Sequence, residues 1–194
     1  MSKKIPTKEE QLIFEHLYLN VSDQYRITKF KHDTQELCIN IMTMRDKPYD
    51  NITTYSTIGL CDYPMMLNGK SYKARLEIIM PLRSTYKHAP NILAMPAFCV
   101  MRTRKLLYPG AVLPDYVAEY YPRCKLPHLY FTAPFLWESL NKIKIGKKIV
   151  CWLLAIPISD KEYSFLQKHS DQELESRFEK KQIDIFSLSR KSVV

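Results

Sequence analysis

The sequence predicts an α+β domain with a mixed, mostly antiparallel sheet flanked by helices. Short runs alternate with the period of a strand, as in Leu37, Ile39 and Ile41 against Cys38, Asn40 and Met42. Thirteen tyrosines against four glycines suit pleated faces where one end of a ring is dry and the other wet. Twelve prolines, many at the ends of apolar runs, cut the chain into short elements and argue against bundles and coiled coils. With 194 residues, 46% of them hydrophobic, the chain supplies one well-packed core and falls short of two, so 1–194 is read as a single domain.

Element by element, Thr7 followed by Glu10 forms a capping-box pattern, and Leu12, Ile13 and Leu17 with Phe14 and Tyr18 give a helix over 7–19 its apolar face. His16 in that helix reads as a packed or half-exposed side chain, since no second ligand with zinc-motif spacing shares its face. Gln24 to Lys31 and Glu36 to Met44 form a hairpin around the turn His32-Asp33-Thr34-Gln35. The stretch Ile52 to Pro81 holds two strand-like runs flanking a turn that carries Asp62 and Tyr63, with a short linker before Lys73. Leu82 to Pro90 reads as irregular. Pro90 and Pro96 bracket a short piece before a helix over Ala97 to Leu107, whose polar side carries Arg102, Arg104 and Lys105 and which Tyr108-Pro109-Gly110 ends.

Val112 to Pro127, rich in Pro and Tyr with little periodicity, fits either a functional loop or an irregular edge strand. His128 to Thr132 is a compact strand and Lys147 to Ser159 a longer one. The latter is apolar at every position from Ile149 to Ile156, as expected of a central strand covered on both faces. Asp160 caps a helix through about Lys168, and Asp171 to about Lys180 forms another with Leu174 and Phe178 inward. Ile183 to Leu188 alternates as a last strand.

A formal charge of +9 at pH 7 attracts nucleic acid, anionic membrane or an acidic protein, and its sign alone does not choose among them. Lys and Arg never form a run of five, so a solvated basic surface is the ordinary meaning. Five cysteines, odd in number and without a Cys-x-x-Cys pair, make a poor disulfide framework and fit a reducing compartment. Met1 to Glu10 lacks the apolar core of a signal peptide, and the run Ile149 to Ile156 is far short of the roughly 20 residues a bilayer span needs. The expectation is a cytoplasmic protein with no membrane partner.

The sequence contains no Gly-x-Ser-x-Gly elbow, His-Glu-x-x-His, phosphate loop or dinucleotide fingerprint, so neither catalytic residues, nor a metal site, nor a cofactor is expected. Cys124 and His128 are near in sequence and could form a thiolate pair or half a metal site; the alternative is a buried thiol and a strand-end imidazole. Asp62 and Tyr63 sit where Gly59 permits a sharp turn, either exposed for a partner or, for Asp62, capping its own loop. Glu77 shares a strand face with Arg75 and Ile79, and a cross-strand ion pair is the alternative to a contact role.

Tyr55-Ser-Thr-Ile-Gly59-Leu60-Cys-Asp62-Tyr63 followed by Arg75-Leu-Glu77-Ile-Ile-Met-Pro81 resembles the paired motifs of the suppressor of fused domain family. Tyr108-Pro-Gly110, His128 to Thr132, Ile149 through Ile158 with Glu162, and Phe186-Ser-Leu-Ser-Arg190 follow in the family's order, so the resemblance runs over about 24–194. It implies a compact bacterial form that acts as an immunity protein, binding and silencing a polymorphic toxin in the cytoplasm by occlusion or β-augmentation. It also implies partner contacts at Asp62 and Tyr63, with Glu77 and Arg190 as further candidates. The charge departs from the acidic, nucleic acid-mimicking character usual for a nuclease inhibitor, which implies either a toxin with an acidic contact surface or a toxin that is not a nuclease. The rival reading is a nucleic-acid-associated regulator with a basic, aromatic-rich surface.

Overall fold

A computed structural model describes residues 6–140 and 142–194; the first five residues, part of the stretch read as lacking a signal peptide, lie outside it. The elements are α1 (Lys8–Asn20), β1 (Arg26–Lys31), β2 (Cys38–Arg45), β3 (Ile52–Ile58), β4 (Met66–Leu67), β5 (Lys70–Ser71), β6 (Ala74–Arg83), α2 (Ala89–Thr103), β7 (Val112–Leu113), β8 (His128–Thr132), β9 (Ile143–Ile145), β10 (Lys148–Ile158), α3 (Asp160–Leu166) and α4 (Asp171–Lys180). Eight strands form one sheet in the order β1-β2-β3-β6-β10-β8-β7, with β9 paired to the start of β10. Every pairing is antiparallel except the central β6–β10, so the sheet is mixed and mostly antiparallel.

The alternation of the strands explains the layers. In β6, Leu76, Ile78, Met80 and Leu82 enter one apolar cluster with Ile92, Leu93 and Val100 of α2, while Ile79 enters a second on the opposite side. That second cluster takes Ile13 and Leu17 of α1, together with Met42, Met44 and Ile58. β10 divides likewise, Leu153 and Ala155 one way and Trp152, Leu154 and Ile156 the other, which is why it is apolar at every step. A third cluster seats Phe165, Leu174 and Phe178 of α3 and α4 against Tyr130 and Ile158. Each such side chain, fully buried, contributes about 1.5–3 kcal/mol.

Four local expectations are corrected. The segment read as irregular is regular at both ends, because β6 runs on to Arg83 and α2 already begins at Ala89. Pro90 occupies the first turn, where an N–H is not needed, and Pro96 lies inside the helix as a buried residue, its lost hydrogen bond outweighed by the packing of α2 on the sheet. α2 also stops at Thr103, before Leu107, because Arg104 adopts the left-handed conformation at its end. Ser159, rather than Asp160, caps α3, in a capping box with Glu162.

The expected strand Ile183 to Leu188 is absent. Asp184 accepts from Phe186 N at 3.1 Å and its carbonyl from Ser187 N at 3.3 Å, a local turn that competes with a ladder. Val112 to Pro127 forms the short edge strand β7 and then a run of turns in which Val117 N and Ala118 N both donate to the Pro127 carbonyl.

Candidate functional site

Gly59 leaves β3 with φ +98°, a conformation that costs an L side chain, and starts a short 3-10 turn over Leu60–Asp62. The turn is held from below by Glu77, which is 0% exposed. One carboxylate oxygen accepts from Gly59 N and Cys61 N, each at 3.0 Å, and the other from the Thr57 hydroxyl at 2.6 Å. Thr57 Oγ1 in turn accepts from Ile78 N at 2.8 Å, just beyond the last β3–β6 pair, Ser56↔Ile79. A side-chain bridge thus continues the ladder where the backbone turns away. Burial raises the Glu77 carboxyl to about 7 against the opposing pull of these donors, and it pushes the Cys61 thiol up as well. Glu77 is therefore removed from the candidate contact surface, and in place of the alternative cross-strand ion pair it has neutral donors among the described residues.

From above, the start of α1 packs on the turn. A Cβ at Gly59 would lie 3.2 Å from Glu10 Oε1, the oxygen that also takes Asn40 Nδ2 at 3.3 Å, while Glu10 Oε2 closes the capping box on Thr7 N at 2.7 Å. Asp62 projects outward and pairs with Lys148 Nζ at 2.9 Å, and the same ammonium lies 3.5 Å from Glu9. Lys148 is held above its ordinary pKa, chiefly by the Asp62 hydrogen bond. Tyr63 is half-buried with the Arg104 guanidinium 4.9 Å over its ring.

The stretch read as a short linker is a second, two-stranded sheet, β4–β5. Asn68 and Gly69, both with positive φ, close it; an Asn-Gly pair is a strong hairpin signal and could have revealed it. Met66 N bonds the Arg104 carbonyl and Tyr72 N the Met65 carbonyl, each at 2.8 Å, so the hairpin stands on the same residues that hold Tyr63. Met66, Leu67 and Tyr72 are exposed beside Lys70 and Lys73. The hairpin thus presents apolar and aromatic groups beside positive charge.

Arg190 lies elsewhere, at the far end of β10. Its guanidinium, 5% exposed, meets the fully buried Glu162 through Nη1 at 2.6 Å and Nη2 at 3.0 Å, and Nη2 also donates to the Pro157 carbonyl at 3.0 Å. This clamp ties the carboxy-terminal tail to α3 and is not a surface contact. Cys124 and His128 are not brought together as a pair: His128 Nδ1 accepts from Asp115 N at 2.9 Å, Nε2 meets Asp160 Oδ1 at 3.1 Å, and burial raises the Cys124 thiol above its usual range. His16 bonds with Asn20 and packs on Trp152, ring centroids 5.0 Å apart. Among the described residues no group of three or more His, Cys, Asp or Glu could hold a metal ion, and no helix is long and apolar enough to cross a membrane.

Three comparisons bear on this arrangement. The model of the family "Suppressor of fused protein (SUFU)" matches residues 35–191. Immunity protein YqcF of Bacillus subtilis (strain 168) is 32% identical over 189 residues, covering 97% of this chain and 98% of that protein. Among solved structures, a suppressor of fused homologue from Neisseria gonorrhoeae FA 1090 superposes with a TM-score of 0.68 at 19% identity, covering 96% of this chain and 97% of that one. A chain of the Sufu–Fu complex gives 0.67 at 16% identity, with 97% and 93% covered. Drosophila Suppressor of Fused gives 0.55 at 14% identity over 80% of this chain and 42% of that one. At such identities the structures establish the fold.

Proposed function

This chain belongs to the suppressor of fused protein family, and from that premise we propose that it is a non-catalytic immunity protein, which binds a cognate polymorphic toxin in the cytoplasm and neutralises it by occlusion or β-augmentation. The observation that carries this reading is the end-to-end similarity to an immunity protein of nearly the same length. The candidate surface supports it, since Asp62 and Tyr63 sit on a turn braced from both sides and continue into the exposed hairpin. A braced turn loses little conformational freedom on binding, so more of the contact energy appears as affinity. The basic hairpin and the charge of +9 match a partner with an acidic contact face.

The test is to look for a polymorphic toxin in the neighbouring reading frame and to titrate the chain calorimetrically with the variable C-terminal domain of such a toxin. Asp62→Ala with Tyr63→Ala is expected to leave a folded protein and weaken toxin binding by roughly tenfold or more, as for an interface hot spot. Unchanged affinity removes the turn from the interface, and failure of the wild-type chain to bind or rescue overturns the immunity reading. Repeating the titration with duplex DNA across salt separates the nucleic-acid alternative, because phosphate contacts weaken steeply as salt rises.

A further inference from the structure

The carboxylate of Glu175, on α4, faces a cavity of about 460 Å³ between that helix and strands β8 and β10 of the sheet. The walls are apolar, formed by Phe178, Ile156, Ile183 and Ile185, with Phe135, 60% exposed, at the mouth. Glu175 is an unusual group for such a setting. Its Oε1 accepts from the Tyr130 hydroxyl at 2.7 Å and from the Thr132 hydroxyl at 2.5 Å. Both donors are buried on β8, so the carboxylate is held in a fixed orientation, while Oε2 has no hydrogen-bond partner among the described residues. Glu179, one helical turn on, lines the same cavity as a second carboxylate, and among the described residues no Lys or Arg lines it. On a chain with a charge of +9 this is a local inversion of sign.

From this geometry we propose that the cavity binds a primary ammonium group carried on an apolar body. The ammonium sits between Glu175 Oε2 and the Glu179 carboxylate, where charge-assisted hydrogen bonds are at their strongest, and the body lies on Phe178 and under Phe135. The size falls within the range of small-ligand sites, and a mostly apolar wall with few convergent polar groups is their usual chemistry. The proposal rests on this cavity alone and is independent of the toxin reading.

The test uses the intact chain and three probes: phenethylammonium, its neutral counterpart 2-phenylethanol, and the capped peptide Leu-Lys-Leu. Calorimetry measures affinity and amide NMR shifts locate binding. Phenethylammonium is expected to bind at least about tenfold tighter than the alcohol, with shifts at Phe135, Phe178 and Ile183. Glu179→Gln, at the exposed rim, is expected to weaken the amine by about fivefold and leave the alcohol unchanged. Glu175→Gln does the same more strongly where it folds, and Phe135→Ala, which leaves the Tyr130 and Thr132 hydroxyls in place, weakens amine and alcohol together. Binding of the free amine but not the peptide identifies a small-molecule site, and the reverse identifies a lysine side chain of a protein. Equal affinity for amine and alcohol, shifts elsewhere, or no binding by either cationic probe overturns the proposal.

Discussion

Glu77 and Glu162 are both completely buried, yet they are compensated in opposite ways. Glu77 is satisfied by neutral donors alone, two backbone N–H groups and a hydroxyl. Glu162 takes the Arg190 guanidinium through both oxygens, and Ser159 N and Val193 N besides. The neutral nest shapes a buried turn that delivers Asp62 to the surface, whereas the ion pair clasps the tail of the chain to α3. Burial tells that a carboxylate matters; only its partners tell whether it builds a surface or closes the fold.

The sharpest way to break the contrast is Arg190→Ala. It leaves Glu162 buried and without its counter-charge, and it is expected to cost about 3–5 kcal/mol in urea denaturation. Against the turn, Gly59→Ala meets both the φ of +98° and the Glu10 side chain that closes the α1 cap, for an expected loss of about 1–3 kcal/mol. An undisturbed midpoint for Gly59→Ala would show that the turn can relax without Glu10.

A pH series sharpens the comparison further. Glu77 titrates near 4.5 when unfolded and about 7 when folded, so between those values the native state holds a proton that the unfolded chain has lost. The Glu77 contribution is fully present below pH 4.5 and is lost as pH rises to about 7, at no more than about 1.4 kcal/mol per pH unit. Protonated Glu77 can donate to Thr57 Oγ1, whose own hydroxyl has the Ile78 carbonyl within 3.5 Å. Subtracting the profile of Glu77→Gln isolates this slope from the other carboxylates, and a difference that is flat with pH would refute it. The smallest effect is expected for Asp62→Asn, whose ion pair with Lys148 is about one-third exposed; its stability change stays within about 1 kcal/mol and shrinks with salt.

Much of the scaffold was legible because it is written locally. The Thr7–Glu10 box, the alternation of β2 and the unbroken apolar run of β10 each specify an element within a few residues. The helix α2 was misplaced because packing on the sheet tolerates Pro96, and the last strand failed because Asp184 offers the backbone a nearer partner. At the candidate site, Gly59, Asp62 and Tyr63 were readable from the turn they form. The role of Glu77 was not, since its donors lie 16 to 20 residues away, nor was that of Arg190, paired across 28.

By itself, then, the sequence determined the strand and helix periodicities, the sign of the charge and the family, since each rests on residue order. Which carboxylates are buried, which oxygen of Glu175 remains open and which hairpin stands exposed were decided only by the tertiary structure. Those properties depend on which distant segments meet, and hydrogen bonding and desolvation act at a range of a few ångströms in space, whatever the separation along the chain.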